Sequence, residues 1–303
     1  MMMKFPFLKY SKIYFSFSLF LAVLSILAIF VFGLNWGIEF VGGSVLEVSY
    51  STEELRPSQQ EIIVGLEEIG LDNFSVRSIG DKGAVIRIPE VSQALKDKLL
   101  DYFYNAEGVE TEKIGLESVS PVIGGETKTK AMNAILYAVI AIIIYVAVVF
   151  RKVSKPIKSW QYGIATVIAL IHDVLIPIGA IAILGHFWGV EFSIPILTAL
   201  LTIFGYSVND TVVVFDRIRE NLIIGKGETF DQVIDESLNQ TLVRSINTSL
   251  TTLFVLFALF FFGGQSLSWF SLALIIGTIA GTYSSIFLAS TLLAKWLAFS
   301  HRT

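Results

Sequence analysis

Cysteine is absent from the 303 residues, which excludes a disulfide framework, a thiolate nucleophile and any Cys-ligated metal centre. Only three histidines occur, so a His-rich metal site is not expected either, and no catalytic group, metal or cofactor is read from the chain. Charge is also scarce, at 16% of residues with a net value of −4, and it is unevenly placed. Residues 34–130 hold 17 acids against 9 bases, whereas the rest of the chain is net positive. An acidic module of that kind argues against a nucleic-acid partner.

Apolar residues are abundant instead. They make up 54% of the chain with a mean hydropathy of +0.69, beyond the range of soluble domains of this length. A bilayer crossing needs roughly 20 mainly apolar residues, and six stretches qualify, near 13–33, 131–150, 160–184, 193–214, 245–263 and 268–297. The first follows Lys4, Lys9 and Lys12 but exceeds a signal-peptide core and lacks a small-x-small cleavage site, so it is read as a retained helix. The sequence therefore predicts a polytopic α-helical membrane protein with six transmembrane helices.

Lys and Arg in short loops set orientation. "RKVSKPIK" supplies Arg151, Lys152, Lys155 and Lys158, whereas "GHFWGVE" and "GGQSL" supply none. Both termini are thus expected in the cytoplasm, residues 34–130 outside, and the 215–243 connection inside, with "FDRIREN" marking the boundary through Arg217 and Arg219. Three parts result: 1–33 as N-terminus and first helix, 34–130 as an extracytoplasmic domain, and 131–303 as the remaining bundle. The outer part alternates in "SVLEVSYS", has helical spacing in "PSQQEIIVGLEEIG", pairs "FSVRSI" with "GAVIRIP" around "GDKG", and continues through "SQALKDKLLDYFYN" to "VETEKIGLESVSP". That order, βαββαβ, predicts a small α+β, ferredoxin-like domain with two helices on one face of a sheet.

An ionisable residue inside a membrane helix is a functional-site candidate by default. Asp210 in "GYSVNDTVVVFDRIREN" is one, about two turns before Arg217, and Thr198, Thr202, Tyr206 and Asn209 share its stripe. In the fifth helix Arg244, Asn247, Thr248, Thr251 and Thr252 line one face. Asp210 and Arg244 make the natural pair, although Arg244 at a helix entry also suits snorkelling and the threonines suit bonds to their own backbone. His172 and Asp173, near the middle of the third helix, fit a proton relay or a structural hydrogen bond, at a depth different from that of Asp210. Gly277 and Gly281 form a GxxxG packing face that Ser284 and Ser285 extend. "ETFDQVIDESLNQ" reads as an amphipathic helix lying along the membrane with a solvated charged face.

"GIEFVGG" (37–43), "GYSVNDTVVVFDRIREN", "QTLVRSINTSLTT" and "GTIAGTYSSIFLA" together resemble the SecF family of the SecD/SecF protein-export complex, within the wider RND superfamily. The likeness covers essentially the whole chain. Its motif with Gly37, Gly42 and Gly43 usually carries Asp where Glu39 stands, a change that keeps the charge, and the glycines allow a tight turn into the first strand. The resemblance implies a translocase accessory of the bacterial cytoplasmic membrane. In it Asp210, Arg244 and Thr248 serve a proton pathway, and the proton-motive force, with protons as the coupling ion, drives late steps of preprotein export. Implied partners are SecD, the SecYEG channel with YajC, unfolded preproteins and membrane lipids. Two rivals stand beside it: an RND-type half-transporter for lipids or small molecules, and an intramembrane aspartyl protease built on Asp173 and Asp210, whose expected Gly-x-Gly-Asp context is missing.

Overall fold

The computed structural model describes residues 5–89, 92–105, 111–151, 157–225, 227 and 229–300; the loop lysines Lys152 and Lys155 fall outside them. The chain divides into two compact units, Trp36–Met132 and the remainder, Met1–Asn35 with Asn133–Thr303.

The sheet unit follows the alternation of its sequence. Strands β1 (Gly43–Tyr50), β2 (Ser75–Ile79), β3 (Gly83–Ile88) and β4 (Thr111–Val119) lie in the order β2-β3-β1-β4, each neighbouring pair antiparallel. Leu46 stands opposite both Ile86 and Leu116. Helix α1 (Ser11–Phe32) belongs to the other unit, and a short α2 (Ile38–Val41) precedes β1. Two longer helices complete the sheet unit, α3 (Gln59–Glu68) and α4 (Gln93–Asn105). Leu46, Val48, Tyr50, Ile86 and Ile88 pack against Ile62 and Leu66 of α3 and Leu99 and Phe103 of α4, whereas the intervening Glu47 is exposed. Because side chains alternate across a pleat, one face of β1 is apolar and covered. The βαββαβ order and the antiparallel sheet agree with the expected ferredoxin-like layout.

Helix α3 starts at a capping box: Glu61 N–H donates to Ser58 Oγ (3.2 Å) and Ser58 N–H to Glu61 Oε2 (2.7 Å). The Ser58 backbone N–H, then its side chain, holds the Glu61 carboxyl below its ordinary range. The turn from α2 into β1 passes through Gly42 (φ 78°) and Gly43 (φ 115°), conformations that a side chain resists. A Cβ on Gly42 would lie 2.6 Å from the Pro121 backbone, so both conformation and space require glycine there.

Tyr50 has no exposed surface and its hydroxyl has no hydrogen-bond partner; burial, reinforced by the nearby Tyr102, pushes its pKa up to about 12. The fold thus favours the neutral phenol, while the unfolded chain titrates near 10. The stability it confers is complete below that value and is lost as pH rises from about 10 to about 12. Tyr50→Phe is expected to abolish this alkaline loss and to stabilise the unit by about 1 kcal/mol by removing an unpaired hydroxyl. Urea unfolding at pH 8 and pH 11, read from a label on a single cysteine replacing exposed Glu47, measures both; an unchanged alkaline loss refutes it.

Six described helices are long and apolar enough to cross a membrane, five within the other unit and one that begins in the sheet unit. They are α1 with its preceding 3-10 turn (Leu8–Tyr10), α5 (Pro121–Val149), α6 (Ser159–Trp188), α7 (Ile194–Ile224), α8 (Phe230–Phe262) and α9 (Gln265–Tyr283). A π-helical turn (Ser284–Ala289) carries α9 on into α10 (Ser290–Ser300). Phe204, Val208 and Phe215 of α7, Tyr162 and Leu170 of α6 and Leu293 of α10 share one buried cluster. Small residues let backbones close on one another: a Cβ on Gly179 would sit 2.6 Å from Ser25 Cα, and one on Gly277 would sit 2.1 Å from Ile203 Cδ1.

Two expectations about the 215–243 connection are corrected. Helix α7 does not end near residue 214 but continues to Ile224, so "FDRIREN" is helical. "ETFDQVIDESLNQ" is no separate surface helix: from Phe230 it is the first part of the 33-residue α8. At 1.5 Å per residue α8 is about 50 Å long, well beyond the hydrocarbon core. Its polar face is not merely solvated. Asn239 exchanges hydrogen bonds with the backbone of Phe5, both 2.9 Å, and Asp235 Oδ1 accepts from Leu8 N–H at 3.0 Å.

Candidate functional site

Asp210 is the seventeenth residue of the 31 in α7, and Asp173 the fifteenth of the 30 in α6. Both therefore sit mid-helix, and the expected difference in depth is not seen. Asp173 has no exposed surface and Asp210 is 8% exposed, so each carboxylate must find its donors inside the protein.

Serines provide them. Asp210 Oδ1 accepts from Ser245 Oγ of α8 (2.7 Å), and its Oδ2 accepts from Ser285 Oγ of the π-turn. Asp173 Oδ2 accepts from Ser207 Oγ of α7 and Ser284 Oγ of the π-turn, both at 2.6 Å, and its Oδ1 is 2.9 Å from His172 Nδ1. A second tier of hydroxyls lies beside them: Tyr206 donates to Ser249 Oγ (2.9 Å), which is 2.5 Å from Thr282 Oγ1. Close helix approach makes this geometry possible, since a Cβ on Gly281 would stand 3.3 Å from Ser207 Cβ and 3.6 Å from Asp173 Oδ2. The structure thus gathers Asp210, His172, Asp173 and Gly281 into one locus.

Other expected members lie elsewhere. Arg244 does not ion-pair with Asp210; it is exposed, and its attraction reaches the carboxylate only at longer range. The reason is helical phase: Ser245, one residue on, faces Asp210 of α7, which turns Arg244 away by about 100°. Asn247, Thr248 and Thr251 are exposed beside Arg244, and Asn209, Thr198 and Thr202 are exposed on α7. Thr248 donates to Arg244 O (2.9 Å), and Thr198 and Thr202 likewise bond their own helix. The bundle therefore carries two polar features on α7 and α8, a buried serine–carboxylate cluster and an outward-facing stripe.

Sequence reading missed the serines. Ser284 and Ser285 were expected only to extend a packing face, yet they are donors to the two acids. Adjacent serines in an apolar helix were the available signal, although the π-turn that aims them has no comparable one. No hydrogen bond joins the two carboxylates, whose oxygens are taken by hydroxyls and imidazole, so the proton-sharing dyad of an aspartyl protease is not formed. Among the described residues no group of three His, Asp or Glu side chains is placed to hold a metal ion.

A family profile described as "Protein export membrane protein SecD/SecF, C-terminal" matches residues 99–298, and a second, "SecD/SecF GG Motif", matches residues 27–54. The chain belongs to the SecD/SecF protein-export family. Within that family it is similar to "Protein translocase subunit SecF" of Thermobaculum terrenum, 40% identical over 92% of this chain and 90% of the relative. The SecF of Desulfurispirillum indicum is 37% identical over 96% and 91%, and that of Synechocystis sp. 38% over 91% and 90%. These relatives are SecF subunits of the protein translocase, which are transport proteins rather than enzymes. Among solved structures, SecDF from Thermus thermophilus, titled a translocon-associated membrane protein, superposes with a TM-score of 0.84 at 34% identity over 97% of this chain. A SecDF structure in a super-membrane-facing form gives 0.69 at 33% identity over 99%. The chain spans 38% of the first SecDF chain and 39% of the second. It is thus a multi-pass, SecF-like membrane protein whose solved relatives carry this part together with SecD.

Proposed function

We propose that this chain is the SecF half of a proton-driven accessory to the Sec translocase, working with SecD on late steps of preprotein export. The observation that carries this reading is Asp210, a carboxylate inside a membrane span held by hydroxyls of two other helix segments. Ionised, it accepts from Ser245 and Ser285 and ties α8 and the π-turn to α7. Protonated, it becomes a donor on one oxygen, so at least one of those hydroxyls must turn away, and the packing it favours changes. Each proton falling through 100 mV releases about 2.3 kcal/mol, enough to shift such an equilibrium roughly 50-fold.

The exposed stripe of Arg244, Asn247 and Thr248 supports a partner on that face, because a cation facing lipid is costly. SecD fits as that partner, completing a proton path in which Asp210, Arg244 and Thr248 take part. In this arrangement both termini are cytoplasmic and the sheet unit lies outside, where it holds and releases a chain leaving SecYEG, with YajC alongside. Proton flux in vesicles containing this chain with SecD is the test. A potential-driven flux that requires both subunits and accelerates export of a preprotein is expected. Flux that is absent, or that drives efflux of lipid or small molecules without affecting preproteins, overturns the proposal.

A further inference from the structure

Ser284 and Ser285 are consecutive residues, with Cα atoms about 3.8 Å apart, yet they serve different acids on different helices, Asp173 of α6 and Asp210 of α7. We infer that Asp173 is a second protonation site, coupled to Asp210 through the π-turn that carries both serines. This rests on the proton-coupled reading of Asp210 given above.

Each acid has a built partner for both of its protonation states. A serine hydroxyl has one hydrogen, and each of these two has a second acceptor in reach: Ser284 Oγ lies 3.2 Å from Gly281 O and Ser285 Oγ 3.1 Å from Thr282 O. When a carboxylate takes up a proton, the serine turns its hydrogen to its own helix and accepts from the new acid O–H. Both forms are thus accommodated at each acid, but the serine's donation moves from the acid to its own helix, which changes what holds the helices together.

The π-turn makes the two events interdependent. Single π-turns in an α-helix recur at functional sites, and here the Ser285 carbonyl accepts from Ser290 Oγ, five residues on (3.1 Å). The two serines that bind the acids are neighbours on that turn, so a shift of the turn moves both donors together. Charge acts in the same direction, because the ionised Asp173 repels the ionised Asp210. Neutralising one (COO⁻ + H⁺ → COOH) removes the charge that opposes ionisation of the other, so a change of charge at one acid is felt at the other.

Among the described residues, the titratable and charged groups around the pair are few. They are His172 from α6, Tyr206 from α7, Arg244 from α8 at longer range, and Tyr283 from α9, whose ring is 6.4 Å from that of His172. From α1, Tyr14 packs against Phe287 of the π-turn, and the α10 cation Lys295 stands over the Phe15 ring instead. His172 Nε2 is buried without a partner. It is a free position on the imidazole that already bonds Asp173, which suits a group passing a proton to or from this acid.

Infrared difference spectroscopy of the full chain reconstituted with SecD, titrated between about pH 4 and pH 9, tests this directly. The wild type is expected to show, beside the signal of its exposed carboxyls, two carboxylic C=O bands from the buried acids. Asp210→Asn removes one of them and lowers the midpoint of the other by at least about one pH unit, since a repelling charge is gone. Ser284→Ala, which leaves both acids in place, raises the Asp173 midpoint by removing a donor to its ionised form, and Ser284→Thr restores it. If Asp210→Asn removes both of these buried-acid bands, or leaves the remaining midpoint unmoved, the inference is overturned. Loss of proton flux in Asp210→Asn combined with a silent Asp173 removes only this inference; a silent Asp210 with no flux in the wild type removes the proposed function itself.

Discussion

Asp210→Asn is expected to reduce proton-driven export and proton flux to the level of vesicles without protein, while the folded chain still assembles with SecD. The amide keeps the size of the carboxyl and one carbonyl acceptor for Ser245 or Ser285, so stability should stay within about 1–2 kcal/mol of the parent. What it loses is the ability to gain and release a proton. Asp210→Glu separates the two requirements, because it retains the proton but moves the acid by one methylene in a site already occupied by serines from two helix segments. Partial flux is expected there. Normal flux or normal export by the Asn variant would rule out Asp210 as the coupling group.

The second large effect belongs to the sheet unit. Gly42→Ala places a Cβ 2.6 Å from the Pro121 backbone at a residue with φ 78°. Backbone strain of about 1–3 kcal/mol and overpacking of similar size together predict a loss of about 2–5 kcal/mol for residues 36–132. That is a large share of what a unit of this size holds in reserve. Gly125→Ala is the control, since nothing lies within 4 Å of its Cβ position and alanine favours the helix by about 0.5–1 kcal/mol. Limited proteolysis of the membrane-embedded chain reads both. A Gly42→Ala chain as resistant as its parent would show that the turn tolerates a side chain.

Much of the architecture is legible in the residues because the physics behind it is local. Apolar length marks the six spans, and alternation in "SVLEVSYS" marks β1. Helix ends are less legible, because charge reports contact with water and not the end of a helix. Asp216, Arg217 and Glu220 follow the apolar part of α7 without interrupting it, and α5 begins at Pro121, whose fixed φ suits a first turn. At the site, Asp210 stood out as a carboxylate among apolar neighbours. Its partners did not, since Ser and Thr in membrane helices bond their own backbone as readily as another helix. Arg244 drew the pairing because opposite charge is conspicuous in sequence, while the 100° between it and Ser245 shows only in space.

The N-terminal segment has a bearing on how the molecule is made. Phe5 and Leu8 are bound by Asn239 and Asp235, residues 227 to 234 positions later. At roughly 5–20 residues per second, synthesis needs on the order of 12 to 47 s to pass from these residues to the groups that bind them. During that interval the segment before α1 lacks these partners, and only the emergence of α8 supplies them. Closure of the bundle around Phe5 and Leu8 therefore waits for α8, and a nascent chain arrested before α8 should leave these residues more open to protease than the finished protein does.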